Sequence, residues 1–153
     1  MLLRRTLTDI GLAPYSAKNA YQRERPFMVR GETVCTPQDE EALRKDGSYP
    51  SGHTAIGWGW ALILTELVPD RAEEILARGR SFGESRNVCN AHWYSDVVAG
   101  RLVGAAAVAK LHASEEFREA MDKARADIER MRREGKQPQG DCAVEAEALS
   151  TGL

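Results

Sequence analysis

The run from Ile56 to Val68, IGWGWALILTELV, is the most apolar stretch in the chain, and more than any other feature it limits what the chain can fold into. It reads as the body of a helix from about Ser51 to Leu67 that belongs in a core. Trp, Gly, Thr and Glu interrupt it, and it falls short of the roughly 20 apolar residues a membrane-spanning helix needs, so no membrane span is expected. At 153 residues, 42% hydrophobic and 29% charged, the chain is about one globular domain with one core.

The segments around this helix read as helical too. Thr8 or Ser16 can cap a helix through AKNAYQRER, which must stop near Arg25 because Pro26 restricts the residue before it. From Phe27 to Tyr49 no period is sustained, which predicts a long connection with one short helix at PQDEEALRK. Asp70 is placed to cap a helix over RAEEILARGRSFGESR, and a further helix runs from about Trp93 to His112. Ser114 then caps a helix whose Phe117, Met121, Ala124 and Ile128 form one apolar stripe. No strand stands out, so the expected fold class is all-α, a compact helical bundle over residues 1–135 with a loose tail over 136–153.

Composition narrows the function. With 21 basic against 23 acidic residues the formal charge is -2, so nothing draws the whole molecule to polymeric nucleic acid or an anionic membrane. Any anion site must be a local cluster. The three cysteines (Cys35, Cys89, Cys142) lack C-x-x-C spacing, which argues against a zinc site. Arg4, Arg5 and Asp9 interrupt the N-terminus, so it lacks the apolar core of a secretory signal.

Three local patterns could carry chemistry. In Pro50-Ser51-Gly52-His53, small residues at a helix N-terminus leave backbone N–H groups and the positive end of the helix dipole open to an anion. Taken alone, the tetrad reads more simply as a helix cap with an incidental histidine. His92 and Asp96 are four apart; on a helix they share a face, and a carboxylate fixes the imidazole tautomer. An isolated pair of this kind is also compatible with a surface ion pair. Lys18 and Arg25, seven apart, would lie two turns along one helix face and converge on an anion, or form part of a solvated basic face, with Arg23 on a different face.

Their order and spacing say more than any one of them. Lys-x6-Arg-Pro (Lys18, Arg25, Pro26), then Pro50-Ser51-Gly52-His53, then Ser-Arg-x5-His-x3-Asp (Ser85, Arg86, His92, Asp96) resembles the three-part signature of the type 2 phosphatidic acid phosphatase superfamily, which includes class A bacterial non-specific acid phosphatases and vanadium haloperoxidases. RPFMVRGETVC, LRKDGSYPSGHTAIGWGWALIL and ILARGRSFGESRNVCNAHWYSDVVAGRLVGAAAVAKLH extend the resemblance to class A acid phosphatases over roughly Tyr15 to Arg132. Those enzymes begin with a signal peptide and a substantial N-terminal helical part, whereas this chain starts just before the first motif.

The resemblance implies the acid phosphatase/vanadium-dependent haloperoxidase helical fold and a metal-independent hydrolysis of phosphomonoesters. His92 would be the nucleophile that forms a phosphohistidine, with Asp96 holding its ring. His53 would be the general acid. Lys18, Arg25, Arg86, the Ser51 hydroxyl and the Gly52 N–H would hold the phosphoryl oxygens. No cofactor is expected; vanadate should inhibit, or serve as cofactor if the chain is instead a vanadium haloperoxidase. A third alternative is an inactive truncated phosphatase fragment with an exposed apolar patch. Transphosphorylation is implied as an option because water and other alcohols compete for the same phosphohistidine. Small phosphomonoesters are the expected partners, and a homo-oligomer is left open. Localisation by resemblance is periplasmic or secreted, though the chain expressed as written would stay in the cytoplasm. In an exported protein Cys35 and Cys89 could form a disulfide tying the long connection to the site; two buried thiols are the alternative.

Overall fold

The computed structural model describes residues 1–150. Among them are nine α-helices and no strand. In chain order these are α1 (Leu2–Leu12), α2 (Tyr15–Tyr21), α3 (Pro26–Arg30), α4 (Glu40–Arg44), α5 (Gly52–Leu67), α6 (Ala72–Val88), α7 (Tyr94–Leu111), α8 (Glu115–Arg133) and α9 (Cys142–Ser150). Single 3-10 turns at Pro37–Asp39 and Pro69–Arg71 lead into α4 and α6. The all-α expectation holds.

The apolar run becomes α5, the central helix, with α6 and α7 packed along it and α1 and α8 closing the far end. Ala55, Ile63 and Leu67 of α5 meet Ile10 of α1, Val108 of α7, and Phe117 and Met121 of α8 in one buried cluster. Two glycines of α7 let it approach α5 at backbone distance. A Cβ at Gly100 would sit 2.6 Å from the Ser51 carbonyl oxygen, and one at Gly104 would sit 2.5 Å from that of Ala55. Close approach here fixes the N-terminus of α5 against the start of α7, where the Ser51 N–H donates to the Asp96 carbonyl at 3.0 Å. Ser51 caps α5 as its spacing implies, accepting from the Thr54 N–H at 3.3 Å and the Thr54 hydroxyl at 2.9 Å. Ser114 caps α8 in the same way.

Several local expectations are corrected. The first motif does not lie on one helix: α2 stops at Tyr21, where Gln22 turns left-handed (φ 42°) and its N–H closes onto the Lys18 carbonyl. Arg25 follows in extended conformation, and Pro26 opens α3. Lys18 and Arg25 are therefore not two turns apart on a shared face. His92 likewise precedes α7, whereas Asp96 lies in its first turn. Neither Thr8 nor Ser16 caps a helix; α1 already begins at Leu2, and α2 follows Pro14. Asp70 makes no cap either, because the Pro69–Arg71 turn intervenes and its carboxylate pairs with Arg132 of α8. Within the segment expected to be a loose tail, Cys142–Ser150 is helical and exposed almost throughout, with an ion pair from Glu145 to Arg78 of α6 at 2.7 Å. Residues 151–153 of that segment lie outside the described residues.

Candidate active site

Left-handed Gln22 and the extended run to Arg25 carry the chain from the rim of α2 into the interior. Arg25 is buried there, its guanidinium fully engaged: Nε donates to the Leu43 carbonyl (2.8 Å) and the Asp46 carbonyl (3.1 Å), Nη1 to the Ala91 carbonyl (3.0 Å), and Nη2 to Asp46 Oδ2 (3.2 Å). Lys18 comes to the same place from α2. Its Nζ donates to Asp46 Oδ2 at 2.9 Å and to the Gly47 carbonyl. The pair does converge, by a chain reversal rather than by helical spacing. Burial pulls both cations below their ordinary pKa values, and Asp46 opposes that shift in each.

Arg25 also fixes the state of His92. Its Nη1 lies 3.1 Å from His92 Nε2, and because a guanidinium can only donate, Nε2 must present its lone pair. The proton of neutral His92 then sits on Nδ1, which faces Asp96 Oδ2 at 3.5 Å with no closer partner. At that distance the contact is electrostatic rather than a formed hydrogen bond. Asp96 is fully buried, yet both of its oxygens are held: Arg23 Nη1 donates to Oδ1 at 2.7 Å and the Trp93 N–H to Oδ2 at 2.8 Å. Burial pushes the Asp96 carboxyl up, but His92, the Trp93 amide and Arg23 outweigh it and hold it below the ordinary value. Burial, reinforced by Arg25 and Lys18 against the opposing Asp96, lowers His92 to about 4.

The chain positions His92 through the end of α6. The Ala91 and His92 N–H groups both donate to the Arg86 carbonyl at 3.1 Å, left-handed Asn90 (φ 60°) makes the turn, and the Asn87 amide donates to the His92 carbonyl. Cys35 and Cys89 form a disulfide that ties the long connection to this turn. The alternative of two buried thiols is thereby excluded. Arg86 enters the same cluster from the last turn of α6; its Nε is buried without a partner among the described residues. Opposite lies the N-terminus of α5. Gly52 is its first residue, and a Cβ there would have only Lys18 Cε, 4.0 Å away, as a neighbour. His53 is exposed and its ring makes no hydrogen bond among the described residues, but partial enclosure and the positive charges of Arg86, Arg25 and Lys18 lower its pKa.

All eight residues singled out from sequence thus gather at one place. Two others belong with them and were missed. Arg23 was assigned to another face on helical arithmetic that ends at Tyr21, and it is the partner of Asp96. Asp46 sits in an aperiodic segment with no motif to mark it, and it pairs with both Lys18 and Arg25. The assembled cluster presents an uncharged imidazole lone pair, an exposed second imidazole, three cations and a helix N-terminus. That is equipment for binding an anionic group. Among the described residues no three His, Cys, Asp or Glu side chains group as metal ligands.

Known proteins share this chain's sequence at substantial identity. An acid phosphatase of Zymomonas mobilis subsp. mobilis is 51% identical over 130 residues, covering 85% of this chain and 48% of that relative. Non-specific acid phosphatases of Providencia stuartii and Salmonella typhimurium are 46% and 48% identical over 133 and 128 residues, covering 86% and 83% of this chain and 54% and 51% of theirs. The chain spans about half the length of these relatives. The PAP2 superfamily model matches residues 3–118, an interval that contains all three motifs, the central helix α5 and the α6 and α7 helices packed along it, and on that match the chain belongs to the PAP2 superfamily.

Proposed function

We propose that the chain is an acid phosphatase that hydrolyses small phosphomonoesters through a phosphohistidine, without a metal. The observation that carries this is the state of His92: buried, its Nε2 lone pair fixed toward Arg25, its Nδ1 toward a buried carboxylate. In the first step Nε2 would form a bond to phosphorus while the bond from phosphorus to the ester oxygen breaks. His53 would give its proton to the departing oxygen, and Lys18, Arg25, Arg86 and the Ser51–Gly52 helix end would hold the equatorial oxygens. In the second step His53 takes a proton from water as that water attacks phosphorus, releasing inorganic phosphate and the free imidazole. An alcohol in place of water gives transphosphorylation.

The similarity to proteins named acid phosphatases supports the substrate class. The Cys35–Cys89 disulfide supports an oxidising compartment, periplasmic or extracellular. Rapid quench with a labelled phosphomonoester is the test. The wild-type chain should yield an acid-labile, base-stable phosphoprotein that His92→Ala cannot form, and label surviving in that variant would sink the assignment. Vanadate, which mimics the five-coordinate phosphorus, should inhibit hydrolysis of p-nitrophenyl phosphate; insensitivity to it would count against the whole site.

A further inference from the structure

The proposed phosphate site already contains an anion, and that anion is part of the chain. Asp46 Oδ2 accepts from Lys18 Nζ at 2.9 Å and from Arg25 Nη2 at 3.2 Å, the two cations of the first motif. Around it Lys18, Arg25 and His92 are only 3%, 1% and 2% exposed, whereas the Asp46 side chain remains 35% exposed. The carboxylate therefore stands between the buried cations and solvent. Its hold on Arg25 also bears on the nucleophile, because Nη1 of that same guanidinium engages the His92 Nε2 lone pair. In this arrangement Nε2 is covered by the Arg25 guanidinium, and His92 is buried.

The backbone that carries Asp46 is held, so the part free to move is its side chain. It follows the C-terminus of α4, outside any regular element; the Asp46 N–H bonds the Leu43 carbonyl and the Ser48 N–H the Arg23 carbonyl, while the Asp46 and Gly47 carbonyls accept from Arg25 Nε and Lys18 Nζ. Arg86 shows the contrast: among the described residues it has no carboxylate partner, and its buried Nε is unpaired. The site thus holds one cation ready and two neutralised.

We infer that Asp46 is a built-in competitor for the phosphate site: its carboxylate occupies the anion position between Lys18 and Arg25 at rest, and a phosphoryl group must displace it to reach them. This rests on the phosphatase reading above. A phosphate dianion and an ionised Asp46 on the same two cations repel each other, so releasing the carboxylate uncovers both Lys18 and the Arg25–His92 pair. Substrate binding and unmasking of the nucleophile then become one event.

Calorimetric titration of the full chain with inorganic phosphate distinguishes this from a scaffolding role. Removing one like charge from contact distance should make Asp46→Asn bind phosphate roughly ten- to a hundredfold more tightly than wild type. Asp46→Glu, which keeps the charge, should not gain. Equal or weaker binding by folded Asp46→Asn overturns the proposal, since a mere scaffold for Lys18 and Arg25 loses affinity when its charge is removed. Should that variant fail to fold, hydrogen exchange of the wild-type chain decides. Phosphate should speed exchange of the amides at 45–48 while slowing those at 51–54, and slowing at 51–54 with no change at 45–48 overturns the proposal and leaves the phosphatase reading intact. If phosphate binds neither the wild type nor any variant, both fall.

Discussion

In the proposed mechanism His92 and His53 work in opposite protonation states, and their environments set the pH range where both conditions are met. His92 attacks only when neutral, and burial lowers its pKa to about 4, so it is competent above that value. His53 donates only when protonated, and partial enclosure with three neighbouring cations brings its pKa below the ordinary 6.5, so it fails as pH rises through that lowered value. The profile of kcat/KM, which reports the free enzyme, should be a bell with its acid limb near 4 and its basic limb below 6.5. His53→Ala should remove the basic limb from whatever activity remains. Arg23→Gln tests the residue that helical spacing misplaced. Without that guanidinium Asp96 holds a proton on His92 more readily, so the acid limb should move to higher pH, and loosened positioning should lower kcat by roughly tenfold to a hundredfold. A lower kcat with an unmoved acid limb would confine Arg23 to a structural role. At this scale the sequence showed the residues whose types and order are chemically particular, namely the two histidines, Asp96 and the basic motif residues. It did not show Arg23 or Asp46, whose roles depend on a left-handed turn at Gln22 and on an aperiodic loop, features that no spacing rule announces.

The approach of α7 to α5 joins packing to the site, because the Ser51 N–H bonds the Asp96 carbonyl where the two helices touch. A methyl group at Gly100 would press on the Ser51 carbonyl and on Thr54 Cβ at 2.9 Å, and one at Gly104 on the Ala55 backbone a turn further on. Each Gly→Ala change gains helix propensity of about 1 kcal/mol but should still destabilise by about 1–3 kcal/mol through overpacking. Gly100→Ala should cost more activity than Gly104→Ala at equal stability loss, because it alone shifts Ser51 against Asp96; matched melting curves and rates would show whether it does. The disulfide is the other element-level restraint. It closes a separation of 54 residues between the long connection and the turn before His92, so Cys35→Ser with Cys89→Ser should lose about 4 kcal/mol on the chain-entropy model, measured by denaturant unfolding. Elements with strong periodicity or a capping serine, α5 and α8, were readable close to their ends. α3 was not, since five residues between Pro26 and Gly31 carry too little pattern, and α1 was passed over although Thr6 and Ile10 lie four apart on its buried face.

The all-α architecture was legible because no segment reads as a strand and the long apolar segment is followed by helical segments of similar length, α6, α7 and α8, that can bury it. Folding around that helix has a consequence for the whole molecule, because it places a histidine and a carboxylate in the interior of a protein proposed to work in acid. His92 has a folded pKa of about 4 against about 6.5 when unfolded, so between those values the unfolded chain binds a proton that the native one does not. Stability should therefore fall as pH drops through that interval, by roughly 1.4 kcal/mol per pH unit for this one group. Asp96, whose folded pKa lies below its ordinary 3.8, acts in the same direction: the stability it contributes is present above that value and is lost as pH falls below it. The acid side of the activity bell and the loss of the fold should thus run together. Thermal unfolding from pH 7 to pH 4 should show a falling Tm in the wild-type chain and a shallower fall in His92→Asn, which has nothing to titrate there. Equal slopes in the two would show that His92 is not held neutral by burial, and would remove the physical basis for its role as the nucleophile.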